Sequence, residues 1–171
     1  ELQCEEEMII VCTSSADTYI TDKIIDGNFR ATDANVGQAA TLDLFKLYNE
    51  TTLNGSSNQN ELSRLLVKFD LSPITDLTAS ILDLNSSNFS ATLEMKDIMT
   101  GHAVPRNFTV SVFPLSQSFD EGEGLDTGKF DDIHVANFLT ASYTSQNNVW
   151  FASGANAGGI INSADIDYIS S

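Results

Sequence analysis

The fold class is decided by one stretch of the chain, Arg64-Leu65-Leu66-Val67-Lys68-Phe69-Asp70. In an extended backbone Leu65, Val67 and Phe69 point to one side, and the residues between them point to the other. This period of two is typical of a β-strand with one buried side. The stretch therefore predicts a strand, and the rest of the chain can be compared with it.

Similar apolar patterns recur along most of the chain. They predict further strands at residues 8–13, 16–21, 41–48, 91–95 and 108–112. The polar connectors contain turn residues, such as Asn54-Gly55 in the middle of the loop 49–60. Helical periodicity is weak, and residues 129–138 are the stretch that fits one or two helical turns. Many short strands separated by turns predict an all-β fold, an antiparallel β-sandwich of the jelly-roll type.

Length and charge limit the domain count and the partners. The chain has 171 residues, of which 42% are hydrophobic, which suits the core of a single domain. We expect a β-sandwich domain over residues 15–171, preceded by residues 1–14, which hold an N-terminal extension and the first strand. The formal net charge is −16, which disfavours binding to nucleic acid or to an anionic membrane surface. No stretch approaches the roughly 20 apolar residues that cross a bilayer.

The residue types that usually carry catalysis are sparse and scattered. Cys4 and Cys12 are the two thiols, and without a histidine at ligand spacing they do not form a zinc motif. Two free thiols are favoured over a disulfide between them. His102 and His134 lack His or Cys partners in the sequence, and neither Ser63 nor Ser116 lies in a nucleophile elbow. We therefore expect a protein that is not an enzyme.

Carboxylates are densest after Pro114, in Phe119-Asp120-Glu121-Gly122-Glu123-Gly124-Leu125-Asp126. The candidate ligands of a calcium ion are Asp120, Glu121, Glu123 and Asp126, because carboxylate oxygens suit a hard cation. Their spacing is not that of an EF-hand, and the glycines equally fit a tight turn with exposed carboxylates. An ordered acidic turn without a cofactor is favoured, and calcium stays open as the alternative.

Aromatic side chains are the candidates for a sugar-binding surface. The four considered are Tyr48, Tyr143, Trp150 and Tyr168, and Trp150 with Tyr143 is the preferred glycan-binding pair. An exposed ring can stack on a sugar, but core packing is the competing explanation for each of them.

Six stretches, taken in order, carry a resemblance to a known family. They are residues 15–21, Asn35-Val36-Gly37, residues 61–70, Pro105-Arg106-Asn107-Phe108-Thr109-Val110, residues 114–126 and residues 136–142. Together they resemble virion structural proteins of tailed bacteriophages, many of them marine. That family looks like a distant relative of DNRLRE-type β-sandwich modules, which are themselves similar to carbohydrate-binding modules.

The chain departs from the family pattern in two ways. Phe119 and Phe138 stand where members usually carry Trp, so a ring is kept but no indole N–H is available there. The family's closing strands, with a Gly-Asp-rich start and a Trp-Gly pair, are not recognisable, unless residues 159–170 close the sheet differently. A missing strand would leave an open edge that another subunit can fill.

The resemblance implies a non-enzymatic virion structural protein. Such a protein would be a subunit on the exterior of a tailed phage particle, as capsid decoration, neck or tail, with a second copy and other virion proteins as partners. Two alternatives stay open. One is a carbohydrate-binding module for host-surface attachment, and the other is an extracellular filament subunit joined by strand donation from residues 8–13. We expect self-association through a sheet edge or the apolar ends of the chain, not through the acidic loop.

Overall fold

A computed structural model describes residues 8–78, 81–98, 109–115, 117–143 and 146–150. The elements of this part are β1 (Ser14–Thr21), β2 (Ile24–Ile25), β3 (Phe29–Arg30), β4 (Lys46–Tyr48), β5 (Asn60–Phe69), α1 (Ser72–Thr78), β6 (Thr140–Tyr143) and β7 (Asn147–Val149). The predicted all-β class is confirmed at this level, since the regular elements of the described residues are seven strands and one short helix.

The largest sheet has three strands in the order β1-β5-β4, and both pairings are antiparallel. β2 with β3 and β6 with β7 form two further sheets of two strands each. The predicted strands at residues 16–21 and 64–70 are confirmed as β1 and most of β5. Only Lys46–Tyr48 of the predicted strand 41–48 is extended. The predicted turn at Asn54-Gly55 is also present, because Leu53 and Ser56 exchange backbone hydrogen bonds across it.

β5 buries its two faces at different points along its length. Near its start Glu61 and Ser63 are buried, whereas further along Leu66 is buried on the opposite face. Leu65 and Val67 are only half-buried, although they belong to the apolar set that reveals the strand. The cause is that the 21–31 region covers one face near Glu61, while the core cluster packs on the other face at Leu66.

The core joins the three-stranded sheet to the segments that follow residue 115. Its buried members are Ile20, Leu66, Phe119, Ala136, Ala141 and Trp150, with Ala16 and Leu115 packed against them. Burying large apolar side chains of this kind stabilises a fold by about 1.5–3 kcal/mol each. Residues far apart in the sequence thus meet in one cluster, and this cluster positions the acidic loop.

Several segments with strand-like patterns are not strands. The predicted strands at 8–13 and 91–95 are wrong, as is the described part, 109–112, of the one predicted at 108–112; Phe108 lies outside the described residues. Their side chains are mostly exposed, and in the described part of the chain no strand pairs with them. An apolar alternation becomes a strand only where a neighbouring strand accepts its hydrogen bonds.

The helix prediction for residues 129–138 is also wrong. The Asp132 carboxylate accepts the His134 N–H at 2.8 Å, and the Asn137 carboxamide oxygen accepts the N–H of Thr140 at 2.8 Å. Such local hydrogen bonds compete with a helix for the backbone donors.

The helix of the described chain is instead α1, which carries Pro73 in its first turn, where a backbone N–H has no helical partner. The side chain of Asp70, two residues before the start of the helix, also binds its first residue. The Asp70 carboxylate accepts the backbone N–H of Ser72, and this bond lowers the pKa of Asp70. No helix in the described ranges has the length and apolar character needed to cross a membrane.

Burial of β1 generates a pH prediction at Tyr19. Burial, with smaller contributions from Asp43 and Asp126, raises the pKa of Tyr19 from 10.0 to about 12. Because the folded chain holds the Tyr19 proton to a higher pH than the unfolded chain, Tyr19 contributes to the stability of the fold below pH 10. This contribution is lost as the pH rises to about 12. Denaturant unfolding of the wild type should therefore lose on the order of 2 kcal/mol more stability over this range than Tyr19→Phe does. Equal losses in the two proteins would contradict the burial of Tyr19.

Candidate functional site

The acidic loop, residues 119–126, is bound by the side chain of Asn35. This side chain is buried, with 1% of the residue exposed. Its Nδ2 donates to the carbonyl oxygens of Glu121 at 2.8 Å and Ala136 at 2.9 Å. Its Oδ1 accepts the N–H groups of Gly37 at 3.2 Å and Gly124 at 2.7 Å. The carboxamide therefore uses both of its donors and both acceptor positions.

Glycines allow the loop to approach Asn35 this closely. A Cβ atom at Gly124 would lie 1.9 Å from the Asn35 carbonyl oxygen, and one at Gly37 would lie 2.0 Å from the Glu121 carbonyl oxygen. Both contacts are with backbone atoms, which cannot move aside as a flexible side chain can. Gly122 has a φ of +80°, in the left-handed region that favours glycine. The loop is thus an ordered turn whose glycines have a packing role.

Two of the loop carboxylates bind backbone groups of neighbouring strands. Glu121 is half-buried, and its Oε1 accepts the N–H of Asp17 in β1 at 2.8 Å. The Oδ2 of Asp120 accepts the N–H of Tyr143 in β6 at 2.9 Å. These contacts fix the loop between β1 and β6, and they agree with the structural interpretation of the acidic turn.

The other two loop carboxylates, those of Glu123 and Asp126, have different surroundings. The Oδ1 of Asp126 accepts the N–H of Gly128 at 2.8 Å, and Glu123 is exposed beside a shallow pocket. That pocket is lined by Asn35, Glu123, Gly124, Phe130, Asp131 and Asp132. Within the described ranges, no three or more His, Cys, Asp or Glu side chains form a group that could hold a metal ion. Calcium binding by Asp120, Glu121, Glu123 and Asp126 stays a prediction, and the contacts supply a structural role for three of the four.

Trp150 belongs to the core. It is 3% exposed, and its indole Nε1 donates to the carbonyl oxygen of Asn137 at 2.8 Å. Its ring packs in the cluster that includes Ile20 and Leu66. A residue in this position does not offer the open face that stacking on a sugar requires, so of the predicted pair only Tyr143 remains available.

Tyr143 is 45% exposed, and its ring meets that of His134 edge-on at a centroid distance of 4.8 Å. Tyr48 is also exposed, with the Lys46 Nζ 5.3 Å from its ring centroid. Tyr168 lies outside the described residues. The two exposed tyrosine candidates are therefore separate side chains on β4 and β6.

The other sequence candidates have structural roles or lie outside the described residues. The Ser63 hydroxyl donates to the Asp43 carbonyl oxygen at 2.6 Å and accepts the Phe45 N–H at 2.8 Å. Cys12 is a free, partly buried thiol. Three candidates lie outside the described residues, namely Cys4, His102 and Ser116.

Glu61 is a buried carboxylate that no pattern in the sequence singles out. It is 1% exposed, and its Oε2 accepts the N–H of Ile24 at 2.7 Å. The buried Oε1 makes no hydrogen bond to a described residue. Nearby, Arg30 forms an ion pair with Asp22 at 2.8 Å. These polar contacts tie the 21–31 region to the start of β5, but period-two patterning cannot distinguish a buried Glu at a strand end from an exposed one.

Comparison of the chain with protein-family models, curated proteins and solved structures finds no match. The resemblance to phage virion proteins accordingly stays a prediction.

The role of Asn35 predicts a large effect of its removal. Asn35→Ala would leave two N–H groups and two carbonyl groups without their partner, and each buried unsatisfied group costs about 1–3 kcal/mol. We expect the free energy of unfolding to fall by about 3–5 kcal/mol in denaturant titrations. Asn28→Ala, at an exposed position, is the control and should change it by less than about 0.5 kcal/mol. An Asn35→Ala protein as stable as this control would contradict the role assigned to the carboxamide.

Proposed function

We propose that the chain is a non-enzymatic structural protein of a virion, a β-sandwich subunit assembling on the exterior of a tailed phage particle. It would serve there as capsid decoration, neck or tail component. The observation that carries the proposal is spatial, since segments that resemble the phage family lie together in the folded chain.

Hydrogen bonds join five of the six segments into one unit, and the sixth, residues 105–110, lies mostly outside the described residues. Residues 15–21 and 61–70 pair as β1 and β5. Asn35 binds Glu121 and Ala136, which belong to two further segments. Asp120 then links those two, because its N–H donates to the Ala141 carbonyl oxygen at 3.0 Å. This packing into one unit is what a β-sandwich subunit requires, and in that respect it supports the proposal.

The sandwich architecture is part of the same proposal. Ile20 and Leu66 come from the three-stranded sheet, whereas Ala141 comes from β6 in a different sheet. These side chains share one core cluster, as expected where two sheets pack face to face. Completion of these small sheets into a jelly roll is the finer expectation, which an experimental structure of the assembled protein can test.

The charge of the protein supports an exterior position. A net charge of −16 repels the phosphate backbone of a packaged genome, so the subunit would not compete for it on the inside. Two carboxylates of the acidic loop, those of Asp120 and Glu121, also accept backbone N–H groups, which favours a scaffold over a catalytic site.

A carbohydrate-binding module is the second candidate function, and exposure of Tyr143 is the observation that favours it. An exposed tyrosine ring can stack on a sugar, whereas the buried Trp150 cannot. On a glycan array, Tyr143→Ala should abolish any signal if this candidate is correct, and Tyr48→Ala should keep it. Unchanged binding by Tyr143→Ala would remove that ring from the site.

The virion proposal predicts that the chain copurifies with particles. Mass spectrometry of particles purified from a culture that produces this chain should find it in a fixed ratio to the major capsid protein. Washing in high salt should not release it, because apolar contacts and backbone pairing are not weakened by salt. Its absence from intact particles would contradict the proposal.

Self-association should become stronger as salt rises. Identical subunits of charge −16 repel one another, and this repulsion extends over about 10 Å at 0.1 M salt but only about 3 Å at 1 M. Sedimentation at these two salt concentrations should show larger species at the higher one. Weaker association at high salt would contradict contact through apolar and backbone groups, and loss of oligomers on adding a chelator alone would assign a cation to the acidic loop.

A further inference from the structure

The segment 8–13, Met8-Ile9-Ile10-Val11-Cys12-Thr13, is apolar but largely exposed in the described chain. Ile9 is 78% exposed and Val11 is 80% exposed. None of the six residues makes a hydrogen bond to a described residue, and the segment leads directly into β1. A sequence rich in β-branched residues with free backbone groups has the properties of a strand without a partner.

The main sheet has an edge with no partner among the described strands. β4 is the last strand in the order β1-β5-β4. The Phe45 carbonyl oxygen accepts the Ser63 N–H, and the Asn49 N–H donates to the Gln59 carbonyl oxygen, so these residues direct their backbone groups toward β5. In an antiparallel pair the alternate residues point the other way. The N–H and C=O groups of Lys46 and Tyr48 therefore face outward, and among the described strands none lies there to receive them.

The segment 8–13 cannot reach this edge within its own chain. Ser14 pairs with Phe69, whereas Lys46 pairs with Leu62, at the other end of β5. The offset between these two points is about 23 Å along the strand at about 3.3 Å per residue. Thr13 precedes Ser14 directly, so the two Cα atoms are about 3.8 Å apart. Pairing of this segment with β4 in the same molecule would require β1 to leave β5.

Charge makes a second copy a suitable donor. The chain carries 24 acidic residues, yet the segment 8–13 contains none and so adds no repulsion at the edge. The edge itself presents Lys46, and the residues just before the segment are Glu5, Glu6 and Glu7. A donated strand can run parallel or antiparallel to β4. In one of these two orientations it brings Glu5, Glu6 and Glu7 of the donor near Lys46 of the acceptor, and these opposite charges attract. Most other surfaces of two copies repel each other.

We propose that residues 8–13 of one copy add as a strand to the Lys46–Tyr48 edge of a second copy. This inference rests on the proposed function as an assembling structural subunit, and it names the two surfaces that join. Donor and acceptor are different surfaces, so each contact leaves one donor and one edge free. Association is then head-to-tail, and it continues into a ring or a chain instead of ending at a symmetric dimer.

The direct test is a disulfide between two distinguishable copies. The donor copy carries Cys4→Ser and keeps Cys12. The acceptor copy carries Cys4→Ser and Cys12→Ser, with one new thiol from Lys46→Cys or Tyr48→Cys. The matched control acceptor carries Thr75→Cys on α1, which is also exposed. Under a mild thiol–disulfide oxidant, at least one β4 variant should form a donor–acceptor disulfide in high yield, because paired strands bring Cβ atoms within disulfide distance.

The outcomes separate the inference from the proposed function. Equal yields at Thr75→Cys and at the β4 positions, or no disulfide at any position while the protein still assembles, would overturn strand donation and leave the structural role standing. Absence of any assembly, with absence from particles, would overturn both.

A second pair of variants tests the edge without a thiol. Tyr48→Pro removes the outward N–H of β4 but leaves the inward bonds to β5, as proline on an edge strand does. Tyr48→Ala keeps that N–H and is the control. Tyr48→Pro should weaken self-association by about tenfold or more relative to Tyr48→Ala, as measured by sedimentation. Equal association constants in two folded variants would contradict the inference.

Discussion

The described fold depends on the buried carboxamide of Asn35. This group binds backbone atoms of residues 86 to 101 positions further along the chain, at Glu121, Gly124 and Ala136. Each of these backbone groups would otherwise be buried without a partner, which costs more than a typical hydrogen bond gains. Because the acidic loop has no regular secondary structure of its own, this network takes the place of a strand ladder.

The same carboxamide also explains why two carboxylates of the acidic loop bind backbone groups of neighbouring strands. Once Asn35 fixes the glycines, Glu121 faces the edge of β1 and Asp120 faces β6, where each accepts a backbone N–H. Carboxylates that accept such bonds are held apart from one another, and a cation site needs them to converge. The net charge of the chain is −16, so exposed carboxylates such as Glu123 add to the repulsion between identical molecules.

The sequence predicted which segments have the alternation of a strand, but it did not predict which of these segments pair with another strand. The alternation in residues 64–70 correctly predicted a strand, because the stretch pairs with β1 from Arg64 to Phe69. Residues 91–95 alternate as clearly but are exposed, since no described strand lies beside them; pairing is a non-local property that one segment cannot encode. Trp150 was proposed for a sugar surface, yet burial and its bond to Asn137 depend on contacts that the sequence does not reveal. Asn35 gave no signal beyond its place in the Asn-Val-Gly motif.

The central claim, that Asn35 holds the acidic loop as part of the cooperative fold, is tested most directly by native-state amide hydrogen exchange. The amides of Gly37 and Gly124 both donate to the Asn35 Oδ1, whereas the amide of exposed Gly128 donates to Asp126 and serves as an internal reference. The account predicts that Gly37 and Gly124 exchange only through global unfolding, with an opening free energy equal to that of the β1 and β5 core amides. Exchange of Gly37 and Gly124 as fast as that of Gly128 would contradict it.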